Sequence, residues 1–402
     1  MGYRTTQLLF FFRKISRDEE NKGDIKRRIF SGLLAAVLVC AWNAVELHEV
    51  PLRAYEEESL LNLFFNIRGI ENSPDEIAIV NIDDTSFKTL KLSAKRTFPR
   101  ELLGEALIEI QKDKPKVVIL DLKASYDELE EKGTLRIVEA LKMGPAVLAA
   151  PPIENTDDTF KSDERISEVA AMELPLTVNG AFGVTSNLGI ATSSEEGQFD
   201  AFPLLKPLTK LVKSNIVTPD YRGIINFYGP AGTIKNFPVW QLVSDKRMVP
   251  KEFFKDKIVF VGYNSELTMR GVTNKEVFKV TAPGQNMYGV EIHATIAGNL
   301  LDNSWIRRLP PEVESITIML LLFILILGIF FLEPLSAVIF VTSFTGLWFV
   351  GSYLAFLKLH YFFPGFLIAL FSTPLILCGV MTTVARLALT ELEDTRKMLG
   401  IK

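Results

Sequence analysis

Residues 77–82 read IAIVNI. A short, β-branched, nearly continuous apolar run of this kind suits a strand buried on both faces, and is too short for an amphipathic helix. Downstream, Arg100–Gln111 (RELLGEALIEIQ) sets Leu102, Leu103, Ala106, Leu107 and Ile110 on one helical stripe. Val117–Leu122 (VVILDL) reads as a second strand, Leu135–Leu141 as a helical pattern and Ala146–Ala150 as a third strand. Strand, helix, strand, helix, strand predicts an α/β domain with a mostly parallel sheet and covering helices.

The pattern blurs over Thr159–Ser214, where polar stretches and Pro175, Pro203 and Pro207 leave the elements unassigned. Order is expected again at Ile224–Phe227 and at Ile258–Gly262 (IVFVG), the latter preceded by a helix-like PKEFFKDK. Then comes Met287–Leu301, MYGVEIHATIAGNLL, whose second half looks helical.

Apolar residues are unevenly spread over the 402-residue chain. Four segments approach the roughly 20 residues that cross a bilayer as helix: Ile29–Val45, Val313–Leu332, Ser336–Leu357 and Phe362–Ala385. The first reads as an uncleaved signal anchor. Lys26-Arg27-Arg28 precedes it, but no small-residue cleavage site follows Trp42, Asn43 and Val45, and Val39 stands before Cys40 where a lipoprotein site would have Gly or Ala. Arg13, Lys14, Arg17 and Lys22 strengthen the basic N-terminal cluster and place it in the cytoplasm; Arg386, Arg396, Lys397 and Lys402 agree at the other end, whereas Arg307 and Arg308 oppose this orientation. The expected order is a cytoplasmic tail (1–28), a signal anchor (29–45), an extracytoplasmic domain (46–312), membrane helices at 313–332, 336–357 and 362–385, and a cytoplasmic exit helix (386–402). Both cysteines, Cys40 and Cys378, fall in membrane segments, so the exported domain carries no disulfide. A net charge of −4 gives no reason to expect a nucleic-acid partner.

Candidate site residues are few. Asp83 and Asp84 follow the first strand and Asp121 nearly ends the second, where open α/β sheets place ligand sites; equally, Asp84 could cap a helix starting near Ser86. Glu291 and His293 would share a face only if their segment were extended; in a helix they diverge by about 200°. With His48 and His360 as the only other histidines, a nitrogen-rich zinc site is not expected. Gly229–Asn236 (GPAGTIKN) lacks phosphate-loop spacing, and no G-x-S-x-G or H-R-D occurs. No metal, cofactor or catalytic group is expected.

Seven pieces in order carry a resemblance: LLNLFFNIRG, IAIVNIDDTSF, FPRELLGEAL, KPKVVILDL, INFYGPAGTIKNFPVWQLV, VPKEFFKDKIVFVG and YGVEIHATIAGNLL, followed by three close apolar segments. The chain resembles the CHASE-type extracellular sensor domain of the second class, found in bacterial membrane receptors. The Gly-Val-Glu-x-His-Ala signature at Gly289–Ala294 is its most specific part. After IVFVG the sequence departs from the family pattern, running YNSELTMRGVTNKEVF.

The resemblance implies a sensor for an extracytoplasmic ligand, with Asp83, Asp84, Arg100, Asp121, Glu291 and His293 as candidate contacts. It also implies a cytoplasmic cyclase or kinase output and homo-oligomerisation. The stretch up to Lys402 has no room for an output domain, so the expected output is a separate partner. A scaffold subunit of an envelope complex, the receptor half of a longer cyclase or kinase, and an enzyme in the exported domain are the alternatives.

Overall fold

The computed structural model describes residues 51–93, 97–122, 125–150, 162–176, 184–185, 202–219, 223–244, 246–265, 277–284, 286–331, 334–363, 389 and 392. The expected signal anchor, most of the fourth apolar segment and all of the exit helix except Leu389 and Leu392 lie outside these residues, as do both cysteines. The chain divides into two compact units, one holding Glu57–Arg308 with Phe356–Phe362, the other holding Leu309–Ala355 and the chain ends.

The first unit begins in α1 (Pro51–Arg68), followed by β1 (Ile77–Asp83), α2 (Asp84–Thr89), α3 (Arg100–Lys112), β2 (Val117–Asp121), α4 (Glu131–Lys142) and β3 (Ala146–Ala150). Then come α5 (Glu164–Ser167), β4 (Met172–Pro175), β5 (Val184–Thr185), α6 (Leu205–Lys210), β6 (Asn236–Pro238), α7 (Trp240–Val243) and β7 (Ile258–Asn264). It closes with β8 (Val277–Val280), β9 (Asn286–Tyr288), α8 (Gly289–Asp302) and the short β10 (Arg307–Arg308). After α9 (Pro311–Phe331) and α10 (Pro334–Leu359) comes β11 (Tyr361–Phe362), which belongs to the same unit as β10.

Six strands form one sheet in the order β4-β3-β2-β7-β1-β6, every neighbouring pair parallel. β5, β8 and β9 make a separate three-stranded sheet. Alternation along the strands sorts the residues between two buried faces. Ala78, Val80, Ile82, Val118, Leu120, Val259 and Val261 form one core with Leu103, Ala106, Leu107 and Ile110 of α3 and Ile137, Ala140 and Leu141 of α4. The intervening Ile77, Ile79, Ile119, Ile258 and Phe260 are equally buried on the other face. Against that face α8 packs over β7 and β1. Burial on both sides is why these strands read as continuous apolar runs.

The expected β1, α3, β2, α4 and β3 are all present, within a few residues of their expected ends. The order expected at Ile224–Phe227 takes the form of a buried segment with an isolated bridge from Ile224 to Ile306, while the strand beside β1 is Asn236–Pro238. Two expectations are corrected. PKEFFKDK is a run of turns, its Glu252 and Asp256 at positive φ, which a right-handed helix does not accommodate. The helix after β1 is capped by Asp83, not Asp84: the Asp83 carboxylate accepts the Ser86 N–H at 2.8 Å and the Ser86 hydroxyl at 2.6 Å.

In the second unit α9 and α10 pack as an antiparallel pair. Ile318 meets Trp348, and Leu325 meets Val341, with Phe344 beside both contacts. On the outside, Ile316, Met319, Leu320 and Phe323 of α9 and Ile339, Leu347, Val350 and Leu354 of α10 are exposed. One helix among the described residues, Ile339–Leu359, is long and apolar enough to cross a membrane.

Candidate functional site

The carboxyl ends of β1, β7 and β2 lie side by side. Asp83 stands opposite Asn264, while Asn81 and Asp121 flank Gly262 in one row. Gly262 has a physical reason: a Cβ there would fall 2.9 Å from Cβ of Val290 and 3.1 Å from the Asp121 carbonyl oxygen. The first turn of α8 therefore rests directly on the β7 backbone, with Asn81 and Asp121 on either side.

Each candidate has a definite place at or near this edge. Asp83 is committed to its cap, accepting also the Thr85 hydroxyl at 2.7 Å. The Asp84 carboxylate accepts the Ser265 hydroxyl, tying the start of α2 to the residue that follows β7. Asp121 has no hydrogen-bonding or charged partner among the described residues, and burial pushes its carboxyl up to about 7. Asn81 is buried, and its Oδ1 has no partner among those residues either. Arg100 faces elsewhere. From the start of α3 it donates to the Thr134 hydroxyl at 2.9 Å and to the Ser125 carbonyl, while its own N–H donates to Glu130 at 3.2 Å. It fastens the segment leading into α4.

Glu291 and His293 lie on the first turns of a helix, so they diverge and do not present a common face to one ligand. The Glu291 carboxylate is buried and accepts the Gly232 N–H with both oxygens, at 2.8 and 2.9 Å, helped by the amides of Thr233 and Ile234. Gly232 has φ +90, a left-handed conformation that favours glycine and lets successive N–H groups converge on one anion. GPAGTIKN is thus an anion-binding turn after all, and its anion is the protein's own Glu291. Burial raises the Glu291 pKa; the three amides oppose that rise. His293 is buried without a partner among the described residues, and burial pushes it down to about 4, leaving it neutral near pH 7. Among the described residues no cluster of three or more His, Cys, Asp or Glu could hold a metal ion.

The far end of α8 enters a second polar cluster that the sequence reading did not single out. Asn299 Oδ1 accepts the Asn226 N–H at 2.7 Å, and Asn299 Nδ2 donates to the Asn226 carbonyl at 3.0 Å. Asn226 Nδ2 donates to the Ser304 carbonyl at 3.0 Å, and its Oδ1 accepts from Arg68 at 2.5 Å. Arg68 also donates to the Phe227 carbonyl and pairs with Glu71 at 3.1 Å. The end of α1, the 224–228 segment, the end of α8 and the link to β10 therefore meet in one buried network. Its sequence signals were the Arg68-Gly69 pair, Asn226 in INFYGP and Asn299 in AGNLL, none of which resembles a reaction centre.

No curated protein and no solved structure matches the chain. Residues 33–330, spanning the whole six-stranded sheet, α8 and most of α9, match the CHASE2 domain family. The chain belongs to the CHASE2 domain family.

Proposed function

We propose that this protein is a membrane-anchored sensor. An extracytoplasmic stimulus acts at the carboxyl edge of the sheet, and the response passes through the membrane helices to a separate cytoplasmic partner of the cyclase or kinase kind. The observation that carries this reading is α8. Its 14 residues span about 21 Å, with Glu291 and His293 in its first turns and Asn299 in the network that holds the end of α1 and the link to β10. A ligand that favours one placement of the first turn over Gly262 favours one arrangement of that network, which is the differential binding a population shift requires. Membership in a sensor-domain family supports the same reading. So does the apolar exterior of the α9–α10 pair, which water would not favour and lipid would.

The reading assigns no catalytic step. Asp121 and Asn81 Oδ1, which has no partner among the described residues, are the groups best placed to meet a ligand that donates hydrogen bonds, whereas Glu291 and Arg100 hold the frame.

Sided proteolysis of right-side-out membrane vesicles tests the placement. Protease added outside should cleave within Glu57–Arg308. Protection of that unit until the vesicles are permeabilised would overturn the proposal.

A further inference from the structure

β10 leads into α9, and β11 follows α10 after His360 alone. Although α9 and α10 separate them in sequence, the two short strands pair in parallel, Arg307 opposite Tyr361 and Arg308 opposite Phe362. The Arg307 N–H donates to the His360 carbonyl at 2.6 Å. His360 has φ 53, a left-handed residue that ends α10 and turns the chain into β11.

Side chains reinforce the pairing. The Arg307 guanidinium lies 5.5 Å from the Trp305 ring and 6.0 Å from the Tyr361 ring. Arg308 forms an ion pair with Glu57 of α1. Phe356 is buried, its ring 5.4 Å from Phe64 and 5.2 Å from Phe65, with the Arg68 guanidinium 5.6 Å away. Arg68 is the same residue that binds Asn226 in the network at the end of α8.

We propose that the turn Phe356–Phe362 is a second output connection of the sensor domain. The domain grips the chain where it leaves for α9 and again where it returns from α10. Movement of the Arg68–Asn226–Asn299 network then reaches both ends of the helical pair together, and reaches the segment after Phe362 directly. Because β10 and β11 share a sheet, residues 308 and 361 lie on one side of the bilayer, so α9 and α10 cross it as a pair. This deepens the proposed sensor function and rests on the reading of these helices as membrane-spanning.

The test uses the full chain in native membranes with Cys40→Ser and Cys378→Ser. Paired strands bring their Cα atoms within disulfide range, so Arg307→Cys with Tyr361→Cys should cross-link on mild oxidation, as read by mass spectrometry; no cross-link overturns the proposal. Tyr361→Cys and Lys251→Cys are then labelled singly with a membrane-impermeant maleimide. Labelling of both from outside is expected, and labelling from opposite sides overturns the proposal. Labelling of both only after permeabilisation, with the cross-link intact, leaves the second connection standing and overturns the extracytoplasmic placement instead. Finally, Phe356→Leu keeps a large apolar side chain but removes the ring contacts with α1. It should raise hydrogen exchange at the Arg307 amide about tenfold, and an unchanged rate would show that Phe356 does not hold the grip.

Discussion

Glu291 and Gly232 are joined by a carboxylate that uses both oxygens on a single backbone N–H, at 2.8 and 2.9 Å. The bond links the first turn of α8 to the turn before β6, some sixty residues away in sequence. It gives the most conspicuous acidic residue of the chain a structural occupation.

That occupation predicts an ordered pair of variants. Glu291→Ala leaves the amides of the partly exposed 232–234 turn without their protein acceptor, which costs about 2 kcal/mol. Glu291→Gln keeps one carbonyl acceptor and removes the burden of a buried charge, so its loss should be nearer about 1 kcal/mol. Thermal unfolding of the solubilised full chain reads the difference. Equal losses would mean that the turn is held by something else.

Gly262 and Val290 predict a compensating pair. Gly262→Ala places a methyl 2.9 Å from Cβ of Val290, an overpacking that should cost about 2 kcal/mol. Val290→Gly alone leaves a void and destabilises too. Because it removes the Cβ that the new methyl would meet, combining them should recover at least half of the Gly262→Ala loss, since neighbours in contact are not additive. A double variant as unstable as the sum of the singles would contradict the close approach of α8 to β7.

The sheet was legible because its strands obey a local rule: both faces are buried, so IAIVNI, VVILDL and IVFVG stand out from any reading frame. α3 and α4 were legible from their stripes for the same reason. PKEFFKDK misled because its apolar spacing suits a helix, while positive φ at Glu252 and Asp256 is a property that residue type does not announce. The candidate acids were found where strand ends put them, but their roles depended on long-range partners. Glu291 meets Gly232, Asn299 meets Asn226, and Arg307 meets Tyr361, across separations no periodicity encodes. Segments Ile29–Val45 and most of Phe362–Ala385 lie outside the described residues, and of the four crossings expected from composition one, at Ile339–Leu359, is a helix among the described residues long and apolar enough to cross a membrane.

Asn226 is held twice over: its backbone N–H and carbonyl pair with the Asn299 side chain, and its own side chain pairs with Arg68 and the Ser304 carbonyl. Asn299→Ala strands the buried backbone groups of Asn226, at about 2 kcal/mol. Asn226→Ala leaves that exchange in place, so its coupling partner is Arg68, and Asn226→Ala with Arg68→Ala should cost less than the sum by about 1 kcal/mol. Additive losses in that double-mutant cycle, read by thermal unfolding, would remove the Arg68–Asn226 pair from the route between α8 and the connector.

The last expectation concerns pH, where buried His293 and half-buried Asp121 act with opposite sign. His293 ordinarily titrates near 6.5 and is pushed down to about 4 by burial. The unfolded chain therefore takes up its proton first, and stability is lost as pH falls from about 6.5 to about 4, by roughly 3 kcal/mol in all. Asp121 is pushed up to about 7 from an ordinary 3.8, so the folded chain binds the proton first and stability is regained as pH falls through the same window. Glu291, also raised by burial, adds to the Asp121 side. The native chain should accordingly show a shallow pH profile between pH 4 and 7. His293→Gln should become more stable on acidification relative to pH 7. Asp121→Asn should gain stability at pH 7 and above and then lose it steadily on acidification. Thermal midpoints measured at half-unit intervals of pH give all three curves. Parallel profiles for the two variants would show that neither group is held in its buried form.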